Sequence, residues 1–244
     1  MSSVLHRLWE RIASAQPAPP AWVVAVTGLA ALLLVLNTGS WRLVGQVITI
    51  AHEGGHALVS VLSGRRLDGI RQHADSSGVT YSRGRRHGPG LVLTAAAGYV
   101  TPPLLGAGAA ALLADRHQTA MLWLALVLLA ATFLAVRNAF GALAVLATAA
   151  AVFAASYFAS AAVQAGFAYL AAWFLLLGGM RPVLELSQRR PRRSRRTGAS
   201  RAGLSDADQL ARLTGVSRGV WVALFVLVSA VALAVGARLL IPVG

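Results

Sequence analysis

The sequence predicts an all-α membrane protein of about seven transmembrane helices carrying one small cytoplasmic β-hairpin. Three observations predict it. Hydrophobic residues make up 57% of the 244 and charged residues only 12%, about half the charge of an average soluble domain. Mean hydropathy is +0.65, and several apolar runs reach the ~17–25 residues a helix needs to cross a bilayer. The 22 basic residues are all arginine and gather between those runs, as in loops that face anionic headgroups.

The net charge of +14 does not point to nucleic acid, because no basic surface interleaved with aromatic residues is visible. Cysteine is absent, which excludes disulfides and restricts any metal site to histidine and carboxylate ligands. All-arginine, alanine-rich usage suggests a GC-rich bacterial genome.

Taken in order, residues 1–20 read as an interfacial helix and a proline-rich linker. Val4, Leu5, Leu8, Trp9 and Ile12 share a face opposite Arg7 and Arg11, the pattern of a helix lying on a membrane. Pro17, Pro19 and Pro20 end it. Residues 21–241 form a single polytopic domain with spans near 21–36, 44–62, 91–113, 119–136, 139–157, 161–179 and 219–241. With a cytoplasmic N-terminus, seven spans place 19 arginines inside and three outside, Arg42, Arg116 and Arg238, and leave the C-terminus outside. Between the second and third spans, residues 66–71 and 78–82 alternate around the turn residues 75–78, which predicts the hairpin. Residues 187–203 are arginine-rich and almost free of apolar residues, so they are expected to be a mobile cytoplasmic segment. Trp22, Trp173 and Trp221 fall near span ends, as interfacial anchors do.

The chemistry lies in His52-Glu53-Gly54-Gly55-His56. On a helix, positions i and i+4 share a face, so both imidazoles reach one metal ion, and Glu53 stands beside it as a general base. Three ionisable groups at membrane depth are costly, so the motif is read as functional rather than as mutual satisfaction within a bundle.

An HExxH inside a span, followed by a cytoplasmic hairpin and an apolar helix with Gly98-Tyr99-Val100-Thr101-Pro102, resembles the site-2 protease (M50) family of intramembrane zinc metalloproteases. The similarity is closest to its M50B-like bacterial branch and covers most of residues 44–241. The resemblance implies Zn²⁺ held by His52, His56 and a carboxylate, with Glu53 as the base in hydrolysis of membrane-spanning or membrane-proximal substrates. Better-known members take the third ligand from an Asp in a later span. Here Arg137-Asn138-Ala139-Phe140-Gly141 looks like a remnant of that region, but residues 139–180 contain no acid.

With Asp115 expected outside, Glu10 in the surface helix and Asp68 and Asp75 in the hairpin, three acids remain on the expected side of the membrane: Asp206, Asp208 and Glu185. Ser205-Asp206-Ala207-Asp208 resembles a Ser-Asp-Ala motif of the M50B-like branch, which puts Asp206 first, although Ser205 and Asp208 also fit a helix capping box. Glu185 stands four residues from Arg181, a spacing that suits an ion pair. Asn138 is a candidate substrate-binding or oxyanion residue, or a plain helix cap. His73 and His87 read as solvated loop residues.

The function expected is a zinc metalloendopeptidase of the bacterial inner membrane, with a membrane-protein substrate and anionic lipid headgroups as partners. The rivals are an inactive scaffold of the same family, which would not need Glu53, and a metal or proton transporter, for which an internal repeat is missing. Reporter fusions after Arg86 and Arg196 should read as cytoplasmic and one after Arg116 as external. Arg116 and Arg196 on one side would reject the expected arrangement.

Overall fold

The computed structural model describes residues 14–188 and 205–241, with His6, Glu10 and Ile12. The expected surface helix at 2–14 and the arginine-rich stretch at 187–203 fall almost wholly outside the described residues. Within them run helices α1 (Ala21–Leu36), α2 (Thr38–Leu62), α3 (Pro89–Ala114), α4 (Gln118–Ala135), α5 (Ala139–Tyr157), α6 (Ala161–Gln188), α7 (Asp206–Thr214) and α8 (Arg218–Leu240), with strands β1 (Arg66–Gln72) and β2 (Gly78–Arg83) between α2 and α3.

Five helices, α3 to α6 and α8, are each long and apolar enough to cross a membrane. Their outward faces carry Val127, Leu134, Leu143, Val163 and Leu227, all more than half exposed. In water such a belt would drive aggregation, whereas lipid tails are as apolar as the leucines. This is a multi-pass membrane protein.

The expected seven spans become five, or six when α1 and α2 count as one broken span. These two helices meet at 103°. At 16 residues, α1 rises only ~24 Å, short of the ~30 Å apolar core of a bilayer. Asn37 breaks the run and starts α2, its side-chain oxygen accepting from the N–H groups of Gly39 (2.9 Å) and Ser40 (3.0 Å). Arg181 closes the junction by donating to the Val35 carbonyl and standing 4.5 Å from the Trp41 ring centroid.

Hydrogen bonds decide the path of the chain. Gln16 N–H donates to the Arg116 carbonyl (2.8 Å), Gln118 donates to the Pro17 carbonyl (3.2 Å), and Thr119 N–H donates to the Gln16 side chain (3.2 Å). Residues 16–17 therefore lie at the α3–α4 turn, whereas the seven-span expectation put them on the opposite face from Arg116. Because α3 separates that turn from the hairpin, α1 and α2 together lead from one end of the body to the other. They pass the test for a span as a bent pair, which the apolar run of 16 residues read alone does not reveal.

The hairpin sits on the body rather than projecting from it. The strands pair antiparallel with Gln72 opposite Gly78, Ile70 opposite Thr80 and a bulge between Leu67 and Gly69. Ile70, 1% exposed, packs between Ala57 of α2 and Ala135 of α4. The tip is tied to α2 by Gln46, which donates to the His73 carbonyl (3.3 Å) and the Ser76 hydroxyl (3.3 Å), and by Thr49, which donates to the Ser76 carbonyl (3.0 Å). The outer edge of β1 is already paired: Arg137 N–H donates to the Ile70 carbonyl (2.8 Å), and the Asn138 amide takes both main-chain groups of Gln72.

A short epitope inserted at Gln16 and one inserted after Arg116 are expected to be accessible from the same side of the membrane. Labelling from opposite sides would restore the seven-span path.

Candidate metal centre

Helix α2 enters the apolar body with Gln46, Thr49, Glu53, His56 and Ser60 all buried. Their spacing of three and four residues puts them on one helical face, so the helix brings a polar stripe to its neighbours. His52 stands at the margin of that stripe and is half-buried. Helix α3 crosses beside it, and a Cβ on Gly98 would fall onto His56 Nε2 and within 2.5 Å of His52 Nε2. Only a residue without a side chain allows the two imidazoles to point where they do.

From α7, Asp206 completes the cluster. Its Oδ2 lies 3.2 Å from His52 Nε2 and 3.2 Å from His56 Nε2, and the two nitrogens are 3.1 Å apart. Ligand atoms ~2.0–2.1 Å from one tetrahedral zinc would stand ~3.3 Å from each other, so the triangle fits a common ion. His56 Nδ1 is 2.6 Å from the Thr94 carbonyl. A carbonyl only accepts, so Nδ1 carries the hydrogen, and in the neutral ring Nε2 is left with its lone pair. The Nε2 lone pair of His56 and the Asp206 carboxylate thus face each other and His52 Nε2 across about 3 Å, an arrangement that suits a cation or a shared proton between them. These three residues are close enough to hold a metal ion.

The other two acids are occupied elsewhere. Asp208 forms the capping box with Ser205, whose hydroxyl donates to it at 2.6 Å, and Glu185 pairs with Arg181 at 3.0 Å. Cap and ligand coexist on adjacent residues: Ser205 and Asp208 start α7, and Asp206 in its first turn faces the imidazoles. Asn138 does not cap the helix it precedes, α5. Its amide is bound to Gln72 of β1, accepting from the N–H (3.1 Å) and donating to the carbonyl (2.7 Å). His73 is exposed, as is His87.

A model of the Peptidase M50B-like family matches residues 25–236. The chain belongs to that family. No curated protein and no solved structure matches it. Within this M50B-like chain, sequence reading passed over Thr80, whose hydroxyl donates to Glu53 Oε2 at 2.6 Å. It also passed over Thr94 and over the contact of Gly78, where a Cβ would come within 2.6 Å of the Glu53 side chain, and it took Gly98 only as part of a motif, not as the residue that makes room for the imidazoles. The buried stripe of α2 was a legible signal for partners of this kind, because polar side chains at 3–4 spacing in an apolar helix demand them. Which residues those partners are depends on distant elements.

Ala at position 98 favours the α3 helix by about 1 kcal/mol over Gly, so Gly98→Ala should fold. Its methyl group would nevertheless displace both imidazoles, and metal affinity, read by competition with a chelator, should fall at least ~tenfold. Unchanged affinity would show that the ion is held elsewhere.

Proposed function

We propose that this M50B-like chain is an intramembrane zinc endopeptidase that cleaves peptide bonds of membrane-spanning or membrane-proximal substrates. The observation that carries the reading is the convergence of His52, His56 and Asp206 on one point with Glu53 beside it under β2. His52, His56 and Asp206 would hold the zinc, leaving a fourth position open as in catalytic rather than structural sites. When bound, zinc polarises a carbonyl and lowers the pKa of a water to near 7.

The remaining work falls to this chain's own groups. Glu53 is buried, with one carboxylate oxygen taken by the Thr80 hydroxyl. That hydrogen bond orients the side chain and leaves the other oxygen to accept a proton from the attacking water and return it to the leaving amine. The Thr94 carbonyl fixes the ring of His56. His52 is held edge-on by Tyr99, ring centroids 4.8 Å apart.

A helical peptide cannot present its carbonyl to such a site until it unwinds, and β2 offers an unwound segment a place to pair. In the antiparallel ladder, outward and inward main-chain groups alternate. Ile70 and Gln72 of β1 turn outward to Arg137 and Asn138, so their partners Thr80 and Gly78 turn outward on the other edge. No described main-chain group bonds to them there. Since Gly78 and Thr80 both touch Glu53, a substrate strand added to that edge would pass over the HExxH residues.

The end that carries the hairpin also carries Arg65, Arg66, Arg71, Arg83, Arg85, Arg86, Arg137, Arg212 and Arg218, against Arg116 and Arg238 at the other. By the positive-inside rule the hairpin end faces the cytoplasm of a bacterial cell membrane, where anionic lipid headgroups would meet it. Residues 16–17 and the end of α8 would then both face outward.

Purified protein with Glu53→Gln should bind zinc as the parent does and lose hydrolysis of a membrane-embedded test substrate by at least ~100-fold, whereas Asp206→Ala should lose zinc affinity by ~tenfold or more. Retained hydrolysis in the Glu53→Gln protein would remove Glu53 as the base. A parent that binds no zinc would remove the peptidase reading altogether.

A further inference from the structure

The third ligand reaches the imidazoles from a nine-residue helix with little local chain to register it. Something other than helix α2 must therefore set the position of Asp206. Burial supplies part of the answer: Ala207 and Leu210 are fully buried against Val183 and Leu186 of α6, Ala95 of α3 and Phe225 of α8. Apolar packing of two small contacts fixes a face, but not a rotation and height to within the few tenths of an ångström that a ligand needs.

At the end of α7, Trp221 Nε1 donates to the Thr214 hydroxyl (3.2 Å), and at its start, where Asp206 lies, the tie is Arg218. It is the first residue of α8, capped by Ser217, where the helix dipole disfavours a cation. Its side chain is nonetheless only 16% exposed, turned back over two other helix ends. One terminal nitrogen donates to the Leu186 carbonyl at 2.6 Å, close to the last described residue of α6, Gln188. Its Nε stands 3.3 Å from Asp208 Oδ1, a close ion pair whose angle falls outside hydrogen-bond geometry. The second oxygen of Asp208 accepts from the hydroxyl (2.6 Å) and N–H (3.2 Å) of Ser205. Asp208 thus links the start of α7 to Arg218, and Arg218 links it to the ends of α6 and α8.

We propose that Arg218 and Asp208 are positioning residues for the metal site: by clamping the first turn of α7 between the end of α6 and the start of α8, they set the Asp206 carboxylate on His52 and His56. Neither touches the ion. An arginine at the unfavourable end of its own helix, bound to a carbonyl of a second helix and a carboxylate of a third, serves the junction rather than α8. The proposal rests on the zinc reading above, and its consequence is specific. Loss of the clamp should matter to zinc only through Asp206.

The test is a double-mutant cycle on zinc affinity in detergent, measured by chelator competition, with far-UV helicity and apo-protein melting recorded for each variant. Arg218→Met and Asp208→Asn should each weaken zinc binding at least ~tenfold, the scale of second-sphere changes in metal sites. Arg218→Lys should fall between, since a point charge replaces the fork that spans two partners. In an Asp206→Ala background the same substitutions should change affinity less than ~twofold, because the path they act through is gone. Should Arg218→Met fail to fold, Asp208→Asn and Arg218→Lys carry the cycle. Parental affinity in the single variants overturns the clamp, as does an equal loss with and without Asp206, which would mean general loosening. If the parent binds zinc through Asp206 and the clamp variants do not matter, the peptidase reading stands without this one. If the parent binds no zinc, both fall together.

Discussion

The polar groups that α2 carries into the apolar body need partners there, since hydrocarbon offers none and an unpaired buried group costs several kcal/mol; within that stripe the Ser60 hydroxyl alone has no described partner. The arrangement around the helix follows from that constraint. Gln46 and Thr49 take up the hairpin tip, Glu53 takes Thr80 of β2, and His56 takes a carbonyl of α3 and the carboxylate of α7. The hairpin is packed against the helix, α3 approaches closely enough to need Gly98, and a short amphipathic helix is drawn to the same point. These are consequences of one polar stripe in a membrane segment.

The same constraint separates the part of the stripe that holds structure from the part that can act. Gln46, Thr49 and Gln72 form a neutral network, with Gln72 donating to the Gln46 carbonyl (3.2 Å) and side chain (3.0 Å). Asn138 continues it to α5. Hydrogen bonds alone balance that end. The other end gathers His52, His56 and Asp206, whose facing atoms suit a cation or a shared proton. An ion held there would serve folding as well as chemistry, by balancing the Asp206 carboxylate. His56 lies within about two helical turns of the end of α2, and His52 within about three.

The broken span gives α2 its freedom to tilt. A straight helix continuing α1 would keep its direction, whereas the 103° turn at Asn37 sends α2 off at an angle to it. It then leans across α3 and the hairpin. Arg181, bound to the Val35 carbonyl and to Glu185, closes the turn, which explains why Glu185 is not available to the metal.

The sequence by itself determined the membrane class, the helical content, the hairpin at 66–83 and the pairing of His52 with His56. Each of these is written in short-range periodicity or in the i, i+4 geometry of a single helix, which needs no tertiary information. It also narrowed the third ligand to Asp206, Asp208 or Glu185, because the chain has only eight acids. The choice among the three belonged to the tertiary structure. Asp206 and Asp208 are two residues apart and point in different directions from one turn of α7, and only the packing of that turn against α3, α6 and α8 decides which one faces α2. The path of the first helices depended on it as well: 21–36 is apolar enough to read as a span, and the contact of residues 16–17 with the turn at 116–119, some hundred residues away, puts its start at the same end of the body as that turn. Asn138 looked like a site residue because asparagine serves several purposes equally well, and its attachment to Gln72 depends on a strand 66 residues earlier. Local rules fix what a segment is. Contacts between segments distant in sequence fix what its polar atoms meet.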